Sequence, residues 1–133
     1  MKSVEFDAEL IRRYAGSGPM YTSYPTALEF SSSVGEQDYI DWVHESNISR
    51  RPLSLYVHVP FCAHVCFYCA CNKVVTADRS KAVPYLDNLY AEIRLQASLV
   101  DPDRRVDQLH WGGGTPTFLS EEQMCDLMRV LGE

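Results

Sequence analysis

The chain has 133 residues, a net charge of -6 and a pI near 5.1. That acidic balance, without a cluster of five or more Lys/Arg, argues against general nucleic-acid binding, which needs a basic face to displace counterions. A hydrophobic fraction of 46% is ordinary for a soluble globular protein, and a chain of this length buries roughly two-thirds of its unfolded surface.

The N-terminal stretch MKSVEFDAELIRRYAG has no long apolar run. It reads as neither a signal peptide nor a membrane anchor, so the cytoplasm is the expected compartment. Phe6 to Tyr14 predicts a short amphipathic helix with Phe6, Leu10, Ile11 and Tyr14 on one side. Ser17–Gly35 is rich in Gly, Pro, Ser and Thr and predicts loop or extended chain. The rings of Tyr21, Tyr24 and Phe30 suggest an ordered arm packed on a surface. Gln37–Glu45 predicts a helix burying Tyr39, Trp42 and Val43.

Leu53–Val59 (LSLYVHV), β-branched and aromatic between Pro52 and Pro60, is the clearest strand. Val83–Val100 is the clearest helix, with Leu86, Leu89, Tyr90, Ile93, Ala97 and Val100 at three- and four-residue steps. Arg105–Trp111 predicts a second strand, ending in Gly112-Gly113-Gly114-Thr115-Pro116. Ser120 and Gln123 form a capping-box pattern ahead of a helix carrying Met124, Leu127, Met128 and Leu131. Cys125 shares that helical spacing and reads as core. The order from Leu53 onward is that of two βα units, which predicts an α/β fold with adjacent parallel strands and a right-handed crossover. Both loops that carry candidate chemistry follow strand C-termini, the edge where α/β folds build sites.

Four of the five cysteines, Cys62, Cys66, Cys69 and Cys71, fall within ten residues. In a reducing compartment such density favours metal over disulfides. The spacing C-x3-C-x2-C places three thiolates on one compact loop, enough to ligate three corners of a cubane [4Fe-4S] cluster and leave one iron free. Thiolates suit iron–sulfur clusters and zinc alike. Structural zinc sites usually pair C-x2-C knuckles with a distant second pair, and no such pair or His-x3-His occurs here. The triple glycine allows backbone to approach a ligand closely but lacks the Gly-Lys-Ser/Thr of a phosphate loop. His58 and His110, on predicted strands, read as packing residues with hydrogen bonds. His64 could be mistaken for a ligand, and Lys73 and Arg79 read as a solvated loop face that could meet substrate carboxylates.

C-x3-C-x2-C directly after a strand, with the aromatic Tyr68 before the last cysteine, resembles the radical S-adenosylmethionine (SAM) signature. LYVHVPFC (Leu55–Cys62), CACNK (Cys69–Lys73), LHWGGGTPT (Leu109–Thr117) and GPMYTSYPTALEF (Gly18–Phe30) are similar, in that order, to the oxygen-independent coproporphyrinogen III oxidase (dehydrogenase) family. The resemblance implies that Cys62, Cys66 and Cys69 hold a [4Fe-4S] cluster whose fourth iron binds SAM. It implies that Tyr56 and Gly113 contact that SAM, and that Tyr68, Gly114 and Thr115 contact a second SAM-type ligand. Without the resemblance Tyr56 reads equally well as a core or cross-strand aromatic.

Cys71, outside the general signature, accompanies oxidase members and is implied to be catalytic; its alternative is a buried free thiol. The implied reaction is radical oxidative decarboxylation of coproporphyrinogen III to protoporphyrinogen IX in heme biosynthesis. It draws on a one-electron reductant such as flavodoxin or ferredoxin, and the full-length protein is implied to be a monomer. The implied architecture is an N-terminal arm (1–50) followed by the first two βα units (51–133) of a partial (β/α)6 barrel. On that reading the chain is a truncated portion that keeps the cluster motif without turnover. A heme-binding or heme-trafficking relative is the alternative, against which Cys71 and YTSYPT argue. Two positions depart from the family: Met20, where Arg is usual, and Ala70, where Gly is usual.

Overall fold

The computed structural model describes residues 6–16 and 26–133. The expected aromatic positions Tyr21 and Tyr24, and the Met20 departure, lie outside the described residues. The chain divides into two compact units, Met1–Gly35 and Glu36–Glu133.

In the first unit, helix α1 (Ala8–Tyr14) starts where the Asp7 carboxylate accepts the backbone N–H groups of Glu9 and Leu10, both at 2.9 Å. An N-terminal Asp cap and Arg12 and Arg13 in the last turn suit the helix dipole. The predicted stripe of Phe6, Leu10, Ile11 and Tyr14 is present but exposed, as is Phe30. A 3-10 turn spans Ala27–Glu29.

The second unit begins with helix α2 (Glu36–Ser49), longer than the periodicity indicates. Its expected buried face is corrected: Trp42 is 56% and Tyr39 43% exposed, and Val43 is half-buried. The helix is instead anchored through a polar residue. Asn47, its one buried side chain, donates to the Leu99 carbonyl at 2.8 Å and accepts from the Asp101 N–H at 3.3 Å. Arg104 Nη1 donates to Asn47 Oδ1 at 3.0 Å and to the Ser46 carbonyl at 2.7 Å. The cation thus sits on the carbonyl end of α2, where the dipole favours it. Arg50 ends the helix at φ 54, in the left-handed region common just past a helix terminus.

Strand β1 (Leu53–Val59) agrees with its expected bounds, because proline on each side cannot extend the ladder. The chain then forms the two-residue strands β2 (Phe61–Cys62) and β3 (Val74–Val75), which pair in parallel around the cysteine loop. Helix α3 (Ala82–Ala97), strand β4 (Val106–Gly113) and helix α4 (Glu121–Leu131) complete the two βα units. β1 and β4 are parallel neighbours as expected, with Tyr56 opposite His110, Val57 opposite Trp111 and Val59 opposite Gly113. Strand alternation puts Val57 and Val59 on the helix-covered face and Tyr56 and His58 on the other.

The core joins Val57, Val59 and Phe61 to Ala82, Leu86, Phe118, Leu119 and Leu127. Phe61 is central: its ring stacks on Phe118 at 4.9 Å and meets Tyr85 edge-on at 5.4 Å. The capping box opens α4 as expected, with Ser120 and Gln123 each accepting the other's backbone N–H. Two expectations for α4 are corrected. Cys125 is exposed, and Met128 is 50% exposed, while Leu127 and Val130 carry the buried face. Three- and four-residue spacing among apolar residues leaves the stripe's edges undetermined, and packing on one neighbour selects only its centre. Among the described residues no helix is long and apolar enough to cross a membrane.

Candidate functional site

The site is built at the C-terminal ends of β1 and β4. Past the end of β1, the Pro60 carbonyl accepts from Val74 N at 2.8 Å and the Cys62 carbonyl from Thr76 N at 2.9 Å. These bonds close the base of the cysteine loop. Past the end of β4, Gly114 N donates to the Val59 carbonyl at 2.7 Å and Thr115 N to the Phe61 carbonyl at 2.8 Å. The glycine run is therefore stitched to the start of the cysteine loop, with Thr115 Oγ1 3.7 Å from Cys62 Sγ.

The glycines are required by closeness. A Cβ on Gly114 would stand 2.6 Å from the Phe61 carbonyl oxygen and 2.9 Å from Cys62 Sγ. Gly113 adopts φ +98, and a Cβ there would fall 2.6 Å from the His58 ring. A side chain at either position is excluded by backbone or by conformation.

Within the loop, Cys69 N donates to the Cys66 carbonyl at 3.1 Å, turning the chain between the two cysteines. The backbone N–H of Cys71 holds the Cys69 thiol below its ordinary value, and the Lys73 ammonium acts in the same direction. A lowered value favours the thiolate, the form that ligates metal. Cys62 and Cys69 are half-buried, while Cys66 and Cys71 are exposed. The expected aromatic Tyr68 is 87% exposed at the loop surface, next to Phe67.

Below the loop, Tyr56 is 57% exposed. Its hydroxyl lies 3.1 Å from His58 Nδ1, and His58 Nε2 lies 2.9 Å from the Asn72 carbonyl. A carbonyl only accepts, so Nε2 carries the proton, Nδ1 accepts, and the Tyr56 hydroxyl donates to it. His58 thus ties β1 to the return limb of the cysteine loop, the hydrogen-bonded role expected of it. The Tyr85 hydroxyl donates to the His58 carbonyl from the first turn of α3. Burial raises the Tyr85 phenol above its ordinary value. Sequence reasoning missed Tyr85; its only signal was a polar aromatic at the start of a helix that follows the loop.

Arg79, read from sequence as a solvated face, instead lies over the Phe118 ring at 5.6 Å and donates to the Phe118 carbonyl at 3.0 Å. Lys73 donates to the Cys71 carbonyl at 3.4 Å.

No family model matches the chain. Among curated proteins, it is 49% identical over 98% of its length to an oxygen-independent coproporphyrinogen III oxidase of Mannheimia haemolytica, and it covers 88% of that relative. The chain belongs to the oxygen-independent coproporphyrinogen III oxidase family. It is also 50% identical, over 98% of its length, to the Pseudomonas aeruginosa family member and 51% identical, over its whole length, to that of Escherichia coli K12. The chain spans 28% of each of these two relatives. Among solved structures it resembles the E. coli coproporphyrinogen III oxidase HemN, described as a radical SAM enzyme. The TM-score is 0.79 and the identity 48%, over 98% of this chain and 28% of that one.

For a chain of this oxidase family, the residues present suit an iron–sulfur cluster as a donor set. Three soft thiols share one loop, one of them is shifted toward thiolate, and the adjoining glycine leaves the space beside Cys62 Sγ clear. Among the described residues no three His, Cys, Asp or Glu side chains stand close enough together to hold a metal ion.

Proposed function

We propose that this chain forms the cluster- and SAM-binding part of a radical SAM oxidoreductase that converts coproporphyrinogen III to protoporphyrinogen IX. The observation that carries the reading is the stitching of Gly114 and Thr115 to Val59 and Phe61, which sets a three-thiol loop against a glycine-lined strand end. The chain's identity to relatives named for that oxidation supports the substrate.

Cys62, Cys66 and Cys69 would hold a [4Fe-4S] cluster. Together with SAM, the bound cluster would supply the one-electron reductive chemistry that starts hydrogen removal from a substrate propionate. Tyr56 and Gly113 line the space for this SAM. Tyr56 is fit for that role because its hydroxyl proton is committed to His58, which leaves its oxygen lone pairs to accept a hydrogen bond from the ligand. Tyr68, Gly114 and Thr115 border a second SAM-type ligand, and Cys71, on the same exposed limb, serves the reaction at the substrate. The two βα units support the start of a partial (β/α)6 barrel, with residues 1–50 as an arm. Coproporphyrinogen III, a one-electron reductant such as flavodoxin or ferredoxin, a monomeric state and cytoplasmic residence complete the proposal. Turnover needs contacts from the part of the longer relatives that this chain does not span.

Anaerobic reconstitution with iron and sulfide, followed by Mössbauer and EPR spectroscopy, tests the reading. The expected result is a cubane of four irons per chain, absent from Cys62→Ala, Cys66→Ala and Cys69→Ala, and perturbed by added SAM. Binding of zinc in place of iron and sulfide overturns it. Conversion of coproporphyrinogen III by the chain alone overturns the statement that further contacts are needed.

A further inference from the structure

The polar face of the β1–β4 pair carries a residue with no role so far. His110 stands opposite Tyr56 in the strand register. Its imidazole lies nearly parallel to the phenol ring, with centroids 5.8 Å apart and planes at 14°. No hydrogen bond holds the His110 ring among the described residues. Both rings are exposed; His58 bonds the Tyr56 hydroxyl and meets the phenol ring edge-on at 5.9 Å, which leaves the face of the ring to His110.

The third element is Gly112. A Cβ there would stand 3.0 Å from Tyr56 Cε2, 3.1 Å from the Tyr56 hydroxyl and 3.1 Å from His110 Nε2. The polar ends of both rings therefore converge over one glycine, at the strand end that leads into the ligand-facing Gly113. A Cβ at 112 would press on both rings and require each to give by a few tenths of an ångström.

We propose that His110 is a positioning residue that acts through Tyr56. It supports the face of the phenol ring, while His58 holds its tip, so that the Tyr56 oxygen is aimed before SAM arrives. Two restraints on one ring fix both its torsions, and an aimed acceptor loses less freedom on binding than a mobile one. Aromatic stacking supplies the restraint, so the ring rather than its nitrogens is what position 110 needs. The inference rests on the proposed SAM-binding role of Tyr56.

The test uses the whole chain in two states. In the cluster-free chain, NMR of labelled Tyr and His rings reads the contact directly. Tyr56→Leu should shift the His110 imidazole protons by removing the ring current, and His110→Ala should shift and narrow the Tyr56 signals as the ring begins to flip freely. In the reconstituted chain, equilibrium dialysis reads SAM affinity. A stacking contact of this kind corresponds to a loss of about fivefold in His110→Ala and His110→Gln, with His110→Phe close to the parent. Unchanged ring signals, or full affinity in His110→Gln with a loss in His110→Phe, overturns the positioning role. If the reconstituted parent chain binds no SAM, the function proposed above falls, while the ring signals still decide the contact between Tyr56 and His110.

Discussion

Gly113 lies against the imidazole of His58 so closely that a Cβ would stand 2.6 Å from the ring, on a backbone at φ +98. The same imidazole links Tyr56 to the return limb of the cysteine loop. Strand end, histidine and loop therefore form one packed unit, and a change at the glycine is felt at the cysteines.

Gly113→Ala is expected to destabilise the chain by about 2 kcal/mol, from the disfavoured backbone region together with displacement of His58. Urea denaturation of the cluster-free chain measures the loss. Iron content after reconstitution should fall in parallel, because the bond from His58 to Asn72 is broken. Parent-like stability and iron loading would show that the ring moves aside without consequence.

The anchor of α2 makes a second prediction. Asn47→Ala removes the acceptor for Asp101 N–H and Arg104 and the donor to the Leu99 carbonyl. Leaving such buried groups unpaired costs about 1–3 kcal/mol. Arg104 keeps its bonds to Ser46 and to the Arg51 carbonyl, so the loss falls mainly on the Leu99 carbonyl and the Asp101 N–H. Trp42→Ala, by contrast, should cost less than Asn47→Ala, since more than half of that ring is exposed. The reverse order in denaturation midpoints would restore the apolar anchor that periodicity suggests.

Acid stability should depend on Asp103. Hydrogen bonds from Arg50, one of them at 2.9 Å, hold the Asp103 carboxyl below its ordinary 3.8. A carboxyl depressed in the folded state stabilises it above the unfolded value, and the contribution disappears as pH falls through the folded one. The pair is exposed, so its effect is small. Asp78, held down by the Ser80 hydroxyl and N–H, acts in the same direction. Stability should therefore begin to fall near pH 3.8 and continue below it, with a shallower fall in Asp103→Asn. Identical pH profiles for parent and Asp103→Asn would remove the pair from the acid response.

The fifth cysteine separates ligand from bystander. Cys125 is exposed on α4. Cys125→Ser should leave iron stoichiometry unchanged and stability within about 0.5 kcal/mol of the parent. A cost of several kcal/mol would return Cys125 to the core.

Local chemistry determined much of this protein from sequence alone. β1 is bounded by prolines, and α4 is opened by Ser120 and Gln123. Each of these signals acts within a few residues, where the covalent chain already fixes the distances.

Tertiary structure alone decided which candidates meet. Periodicity marked Trp42 and Cys125 as apolar positions but could not say that Asn47 would face the neighbours in place of Trp42, or that Cys125 would stay exposed, because burial depends on where another element packs. The convergence of Tyr56, His58, His110 and the glycines needed the parallel register of β1 and β4, which brings together residues more than fifty positions apart. The fit of Gly113 against His58 is a contact between strands, and no spacing along one chain encodes it.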